Sequence, residues 1–253
     1  MSTTMVHIGD FHATPGPRNA ARFKTLDRII DEAFELPRLG LFAWPGDLNG
    51  PIGRQLTVEN RNALAERIVR MAQRAPVVIV PGNHDADMDM EIFGLLRGAF
   101  NVYVVASPRV ISLRAATGEM MSIFCLPYPT KGGLVSMGVV PADVVDVAAE
   151  TLDVIFMQAA HELAEARAKG DITLMLGHVN VGGAVVSSGQ PNIGKEIELN
   201  AGHLQRLGDI YKGLNHIHKA QEIHGAFYAG SVCRLDFGEV DPKRWLAVTF
   251  RAS

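Results

Sequence analysis

Cysteine is scarce in this chain. It has two thiols in 253 residues, Cys125 and Cys233, each inside an apolar run. That usage excludes a disulfide-stapled scaffold and a thiolate-rich metal site, and it reads as two buried free thiols suited to a reducing cytoplasm. Basic charge is not in excess either. The net charge is −3, so any affinity for nucleic acid must be local rather than a property of the whole surface. No apolar run approaches the roughly 18 residues that cross a bilayer, and the segment from Met1 to Thr4 has neither a basic stretch nor an apolar signal core. No membrane partner is therefore expected, and the expected location is cytoplasmic. Internal repeats and convincing linkers are also missing. The expected organisation is one domain spanning 1–253, with no capping domain evident.

What is present is ordinary globular material, 47% hydrophobic and 20% charged. Strands are expected at Met5–Ile8, Gly40–Trp44, Val77–Val80, Val102–Val105, Val110–Leu113, Met121–Leu126, Ile172–Leu176, Glu222–Tyr228, Val232–Phe237 and Trp245–Phe250. Apolar residues at helical spacing predict helices at Ala20–Leu36, Glu59–Arg74, Glu91–Phe100 and Pro141–Lys169. The stretch Val181–Asn200, rich in Gly and Ser, reads as a long surface loop, of a length that is often functional. Strands alternating with helices point to a layered α/β fold with a partly parallel sheet.

Polar clusters follow the apolar strands. They are Gly9-Asp10-Phe11-His12, Gly46-Asp47-Leu48-Asn49, Gly82-Asn83-His84-Asp85 and Gly177-His178, with a fifth at Asn215-His216-Ile217-His218. Ligands of α/β folds collect at the carboxyl ends of strands, so these clusters can meet on one edge. Asp10 with His12, and His216 with His218, have the i, i+2 spacing that points both side chains the same way in extended chain. Carboxylates and imidazoles suit Zn²⁺, Mn²⁺ or Fe. Asp-x-His alone is a weak signal. Gly-Asn-His-Asp directly after Val-Val-Ile-Val-Pro is a much stronger one, and the ordered set is stronger still.

With these motifs the chain resembles the calcineurin-like metallophosphoesterase superfamily from about residue 5 to 238. Within it, Leu214 to Gln221, Tyr228-Ala229-Gly230-Ser231 and Leu235 to Glu239 are similar to SbcD-type nucleases of DNA double-strand-break repair. The resemblance implies a four-layer α/β/β/α sandwich and two divalent metal ions, Mn²⁺ first and Fe or Zn next. It implies Asp10, His12 and His218 on the first ion, Asn83, His178 and His216 on the second, and Asp47 bridging. His84 would be catalytic and Asp85 its orienting partner, favouring the imidazolium. DNA is the implied substrate. An SbcC-type ATPase partner is implied too, although no docking segment is evident, and so is a homodimer. Two divalent cations set against Asp10 and Asp47 would leave the site net positive, which suits a phosphodiester anion. The chain departs from the SbcD pattern at Gly50, where a His or Asp usually stands three residues after the bridging Asp. It departs again at Asn215, where Gly usually precedes the first histidine of the last motif.

Two rival readings come from other classes. One is a phosphodiesterase for a cyclic nucleotide or nucleotide diphosphate, favoured by the net charge. The other is a non-catalytic, metal-stabilised scaffold for a DNA-repair ATPase. His7, His161, His203 and His224 belong to no motif and read as structural, with His7 facing away from Asp10. Trp44 and Phe11 read as packing, and Lys195 and Lys219 as solvated lysines. Arg67, Arg70 and Arg74 read as a solvated helix face, and Arg18, Arg22 and Lys24 as a local basic patch.

Overall fold

The computed structural model describes residues 2–50, 56–130, 144–188, 190 and 196–251. The first residues of the helix expected from Pro141, Lys195 and part of the 181–200 loop lie outside them.

Two mostly parallel sheets carry the molecule. The first has the order β13 (Leu246–Arg251), β1 (Ser2–His7), β2 (Leu39–Trp44), β3 (Val77–Ile79), β4 (Val102–Val104), with β13 antiparallel at its edge. The second has the order β11 (Gln221–Ile223), β12 (Ala226–Tyr228), β10 (Tyr211–Asn215), β7 (Ile172–His178), β6 (Met120–Leu126), β5 (Arg109–Arg114). Its outer strands β5 and β11 are antiparallel to their neighbours. A short parallel pair, β8 (Asn180–Val181) and β9 (Glu198–Leu199), stands apart. The helices are α1 (Pro17–Phe34), α2 (Val58–Ala72), α3 (Asp87–Gly94), α4 (Val144–Ala168) and α5 (Ala201–Arg206).

Three buried clusters give the layering. Phe23, Leu26 and Ile30 of α1, with Leu64 and Ile68 of α2, cover one face of the first sheet at Val6, Phe42 and Ile79. Met5, Leu41 and Val78 of the first sheet meet Met121, Ile123, Leu174 and Leu176 of the second. Leu152, Phe156 and Leu163 of α4 cover the second sheet's other face at Phe124 and Met175. Because both faces of the inner strands are covered, those strands read as continuous apolar runs. The result is the four-layer α/β/β/α sandwich. Phe11 and Trp44 pack edge to face in the first cluster, their centroids 6.0 Å apart, and serve as core. No helix among the described residues is long and apolar enough to cross a membrane.

Several expected elements differ. The helix expected at Glu91–Phe100 is α3, which runs from Asp87 to Gly94. Glu222–Tyr228 is not one strand but the hairpin β11–β12. His224 and Gly225 turn it with φ of 49° and 74°, the paired positive values of a tight hairpin. Val232–Phe237 is not a strand. Its N–H groups are not laddered to a neighbour: Leu235 N–H goes to the Glu239 carboxylate at 3.0 Å, and an Asp236 oxygen takes Gly238 N–H at 2.8 Å. Arg67 and Arg70 form no free face. They pair with Asp27 and Asp31 of α1, and Arg70 and Arg74 lie over the Phe34 ring.

Candidate active site

Five parallel strands end at the seam between the two sheets, and each carries part of the site. Asp10 and His12 follow β1, Asp47 follows β2, and Asn83, His84 and Asp85 follow β3. His178 ends β7, and His216 and His218 follow β10. Asn215 pairs in register with His178, which sets the last motif beside the fourth. The loops after β1 and β2 are laced together: the N–H groups of Phe11 and His12 both reach the Asp47 carbonyl at 2.9 Å. Asp10, His12, Asp47 and His216 all have positive φ, 47°, 53°, 51° and 108°. Non-glycine residues adopt this region at a cost, and such strain persists where the surroundings fix the residue. Gly46 is required by contact: a Cβ there would stand 1.9 Å from the His178 ring.

The donors fall into groups. One ligand atom each from Asp10, His12 and His218 lie within 4.8 Å of one another, and the same holds for Asp47, His178 and His216. A third such group, His12, Asp47 and His84, joins them. Asp47 stands at the centre. Its Oδ2 is 3.2 Å from His178 Nε2 and 3.6 Å from His12 Nε2, while its Oδ1 accepts His84 N–H at 2.9 Å. The Asn83 oxygen lies 3.1 Å from His178 Nε2 and 3.0 Å from His216 Nδ1. His12 Nε2 and His218 Nε2 are 3.2 Å apart, within hydrogen-bond distance of one another.

Residues 3–208 match the calcineurin-like phosphoesterase family. The chain belongs to that family. It is a metal-dependent phosphoesterase, and calcineurin-like phosphoesterases typically bind two divalent metals. Among solved structures it is similar to GAP50, the anchor in the inner membrane complex of Plasmodium, at 11% identity and TM-score 0.49, over 97% of this chain and 77% of that one. It is also similar to the NAD nucleotidase NadN of Haemophilus influenzae, at 10% identity and TM-score 0.47, over 88% of this chain but 40% of that one. A further solved structure superposes with TM-score 0.51 at 13% identity over 91% of each chain, a likeness of fold.

The site fits the metals this family takes. Three histidines have one ring nitrogen tied back to the protein, which turns the other toward the donor groups. His178 Nδ1 meets the Pro45 carbonyl at 2.9 Å, His216 Nε2 meets Glu196 at 2.8 Å, and His218 Nδ1 meets Glu239 at 3.0 Å. An imidazole ligand needs this second partner to fix its tautomer and ring orientation. The Asp10 carboxylate is held at both oxygens, by Asn215 Nδ2 at 2.8 Å and His216 N–H at 3.2 Å. His84 Nδ1 is buried and has no hydrogen-bond partner among the described residues.

Charge in the metal-free site is set by Asp47. Burial opposes ionisation of its carboxyl, but His178 and His12 beside it hold it well below the usual range. Burial likewise opposes charge on His178, yet Asp47 and then Asp10 outweigh it and raise that imidazole to about 9. His12, where burial wins over the pull of Asp47, is driven well below its ordinary value.

Two expectations are corrected here. Asp85 does not orient His84: its two oxygens accept Asn49 N–H and Gly82 N–H, each at 2.9 Å. The short loop carrying Asn83 and His84 consumes the carboxylate to pin itself to the loop after β2. Nor is the His84 imidazolium favoured. Burial lowers its pKa, and His178, His218 and His216 lower it further against Asp47. Burial and the nearby Asp47 charge push Asp85 up to about 7.

Sequence reading missed Glu196, Glu239 and a relay behind Asp10. His7 is no candidate ligand, but it does not face away from Asp10 as expected: both meet the Asn215 side chain. Burial lowers its pKa to about 4, so the ring is neutral. Its Nε2–H then donates to Asn215 Oδ1 at 2.7 Å, and Nδ1 accepts from the Tyr211 hydroxyl at 2.8 Å. Asn215 is thereby oriented with its amide N–H groups on Asp10 and the Gly230 carbonyl. The residue that replaces the usual glycine is a spacer holding a ligand. Gly50, the other departure, adds no side chain to the cluster. His203 caps α5 through Asn200 and stays outside the site.

Two outcomes follow from these contacts. Asn215→Ala should strand the His7 N–H and one Asp10 oxygen, costing about 1–3 kcal/mol of stability in urea denaturation. It should also weaken Mn²⁺ binding about 10- to 100-fold, and unchanged affinity by calorimetric titration would contradict the relay. His178 is raised in the metal-free fold, so its contribution to stability is complete below about pH 6.5 and is lost as pH rises through about 9. Metal affinity should climb over that window, because binding must displace the His178 proton. Titrations at pH 7.5 in buffers of different ionisation enthalpy should report about one proton released; identical heats in all buffers would refute it.

Proposed function

We propose that this phosphoesterase cleaves phosphodiester bonds of DNA in the manner of SbcD-type nucleases, with Mn²⁺ as the metal. The observation that carries the phosphodiester reading is the convergence of Asp10, His12, Asp47, Asn83, His178, His216 and His218 around one buried carboxylate, with the unpartnered His84 nitrogen beside them. The similarity of Leu214–Gln221 and Leu235–Glu239 to that branch supports the nuclease reading, and Glu239 of the tail holds His218.

In this reading Asp10, His12 and His218 would hold one ion, Asn83, His178 and His216 the other, and Asp47 would serve both. When bound, the ions would supply charge neutralisation at the attacked phosphorus and activation of water. The chain's own residues do the rest. Asn215 and the His216 N–H fix the Asp10 carboxylate, and Glu196 and Glu239 fix two of the imidazoles. His84 is neutral at rest and keeps one N–H, which it would donate as a hydrogen bond to a phosphoryl oxygen. Preorganised donors of this kind need no reorganisation as charge develops. The free thiols fit a cytoplasmic enzyme. A small phosphodiester such as a cyclic nucleotide is the second reading, favoured by the net charge of −3.

Mn²⁺-dependent cleavage should be seen on linear and single-stranded DNA in an assay run beside an aryl phosphodiester and cyclic nucleotides. His84→Ser should lower kcat about 10²- to 10³-fold with metal content intact. Turnover of small diesters with DNA left whole would move the enzyme to the second reading. Loss of metal in His84→Ser would remove the catalytic role.

A further inference from the structure

The segment from Val232 to Phe237, expected as a strand, instead forms one wall of a groove whose other wall is α1. The groove measures about 540 Å³ and is lined by Arg18, Arg22, Arg28, Arg234 and Lys243, with Asp236 as the lining carboxylate. On a chain of net charge −3 this is a concentrated local excess of positive charge. Some of that charge is already spoken for: Lys243 pairs with Glu239 at 2.8 Å and Arg28 with Glu32 at 3.7 Å. Arg18 and Arg234 have no carboxylate partner among the described residues. Neither does Arg22, which is buried, its guanidinium bonded to the His12 carbonyl and, at 3.1 Å, to the Thr14 hydroxyl. Burial works against the Arg22 charge and the nearby Glu239 offsets that only in part, so an anion in the groove would offset it further. Lys24, expected in this patch, does not line the groove.

The groove also has a direction. Arg22 binds the backbone of His12, and Lys243 Nζ reaches the His218 carbonyl at 3.3 Å, so two lining cations are bonded to the backbone of two candidate metal ligands. At its mouth the Phe237 ring is 89% exposed, with the Arg18 guanidinium 4.7 Å above its centroid. A ring so exposed buries little apolar area in the fold and leaves a face open to stacking. Cations alternating with an exposed ring are the footprint of a single strand, whose phosphates sit on the cations and whose bases stack on the ring.

We propose that this groove is a substrate subsite that takes a backbone phosphate of a single nucleic-acid strand, with an adjacent base on Phe237. Its place in the reaction rests on the phosphodiesterase reading, since it would hold the strand beyond the bond being cut. Phosphate oxyanion is the shared chemistry of a strand and of free phosphate. The aromatic mouth is what assigns the groove to the strand.

The test uses the Mn²⁺-loaded protein and a hydrolysis-resistant, phosphorothioate-linked oligonucleotide of about twelve nucleotides, within the usual single-strand site sizes. Arg18→Glu/Arg234→Glu replaces two exposed side chains and should keep the wild-type Tm. It should weaken the strand by at least about tenfold and flatten the salt dependence, since about 0.7 of log–log slope is lost per phosphate contact. Phe237→Ala should weaken it about five- to hundredfold. The strand should also slow alkylation of Cys233, which lines the groove, whereas Cys125 is fully buried. Strand affinity and salt slope unchanged in the double variant would overturn the proposal. So would inorganic phosphate that protects Cys233 as well as the strand does. Turnover of bis(p-nitrophenyl) phosphate by the same preparation tests the phosphodiesterase reading separately. Its absence with groove-dependent strand binding intact sinks that reading and keeps the groove, and its presence with an insensitive strand sinks the groove alone.

Discussion

Asp47 is a carboxylate with a side chain only 2% exposed, set between imidazoles that arrive from opposite sheets, His12 from the first and His178 from the second. Burying one carboxylate is unfavourable unless charge or hydrogen bonds compensate, and here both come from other loops. His84 N–H takes one oxygen, and His178 and His12 crowd the other. The Asp47 carbonyl in turn holds Phe11 and His12. Remove this residue and the loops after β1, β2 and β3 lose their common partner. The seam between the sheets, otherwise an apolar contact of Met5 and Leu41 with Ile123 and Leu174, would then end in histidines that have lost their shared carboxylate.

The ring of second partners fits a metal site better than a crowded polar core. Pro45, Glu196 and Glu239 each take one nitrogen of an imidazole, and Asn215 takes one oxygen of Asp10. On the three imidazoles each contact spends one ring nitrogen on protein and leaves the other facing the donor groups. The positive φ angles at Asp10, His12, Asp47 and His216 fit the same account, since local strain is tolerated where a function fixes the residue. Charge alternates outward from the centre. Glu239 is held low, burial opposing its charge and His218 and Lys243 favouring it, to about 2, and Lys243 in turn lines the basic groove.

Much of this was legible because the ligands follow apolar strands directly. The strands at Met5–Ile8, Gly40–Trp44 and Val77–Val80 and the clusters after them needed only local pattern to be read. The partners that hold those ligands were not legible, because they are distant in sequence: His7 meets Asn215 across 208 positions, and Asp10 meets Asn215 across 205. Asp85 misled for the opposite reason. Its neighbour His84 invites a pairing that the backbone prevents, since Gly82 and Asn49 take the carboxylate. Strand β10 was missed because Lys212 and Gly213 break its apolar pattern. Lys212 nevertheless lies buried, with its ammonium on the Gly208 and Ile210 carbonyls. Val232–Phe237 alternates like a strand, but its N–H groups are not paired in a sheet and Glu239 and Asp236 bind locally, leaving it to build a groove wall.

The central claim is that one carboxylate joins two cation sites. Metal content per chain after Mn²⁺ loading and gel filtration, wild type against Asp47→Ala, tests it most directly, with circular dichroism and Tm to show that the variant is folded. The account predicts two ions in the wild type and none retained in the folded variant. A folded Asp47→Ala protein that still carries two ions would contradict it.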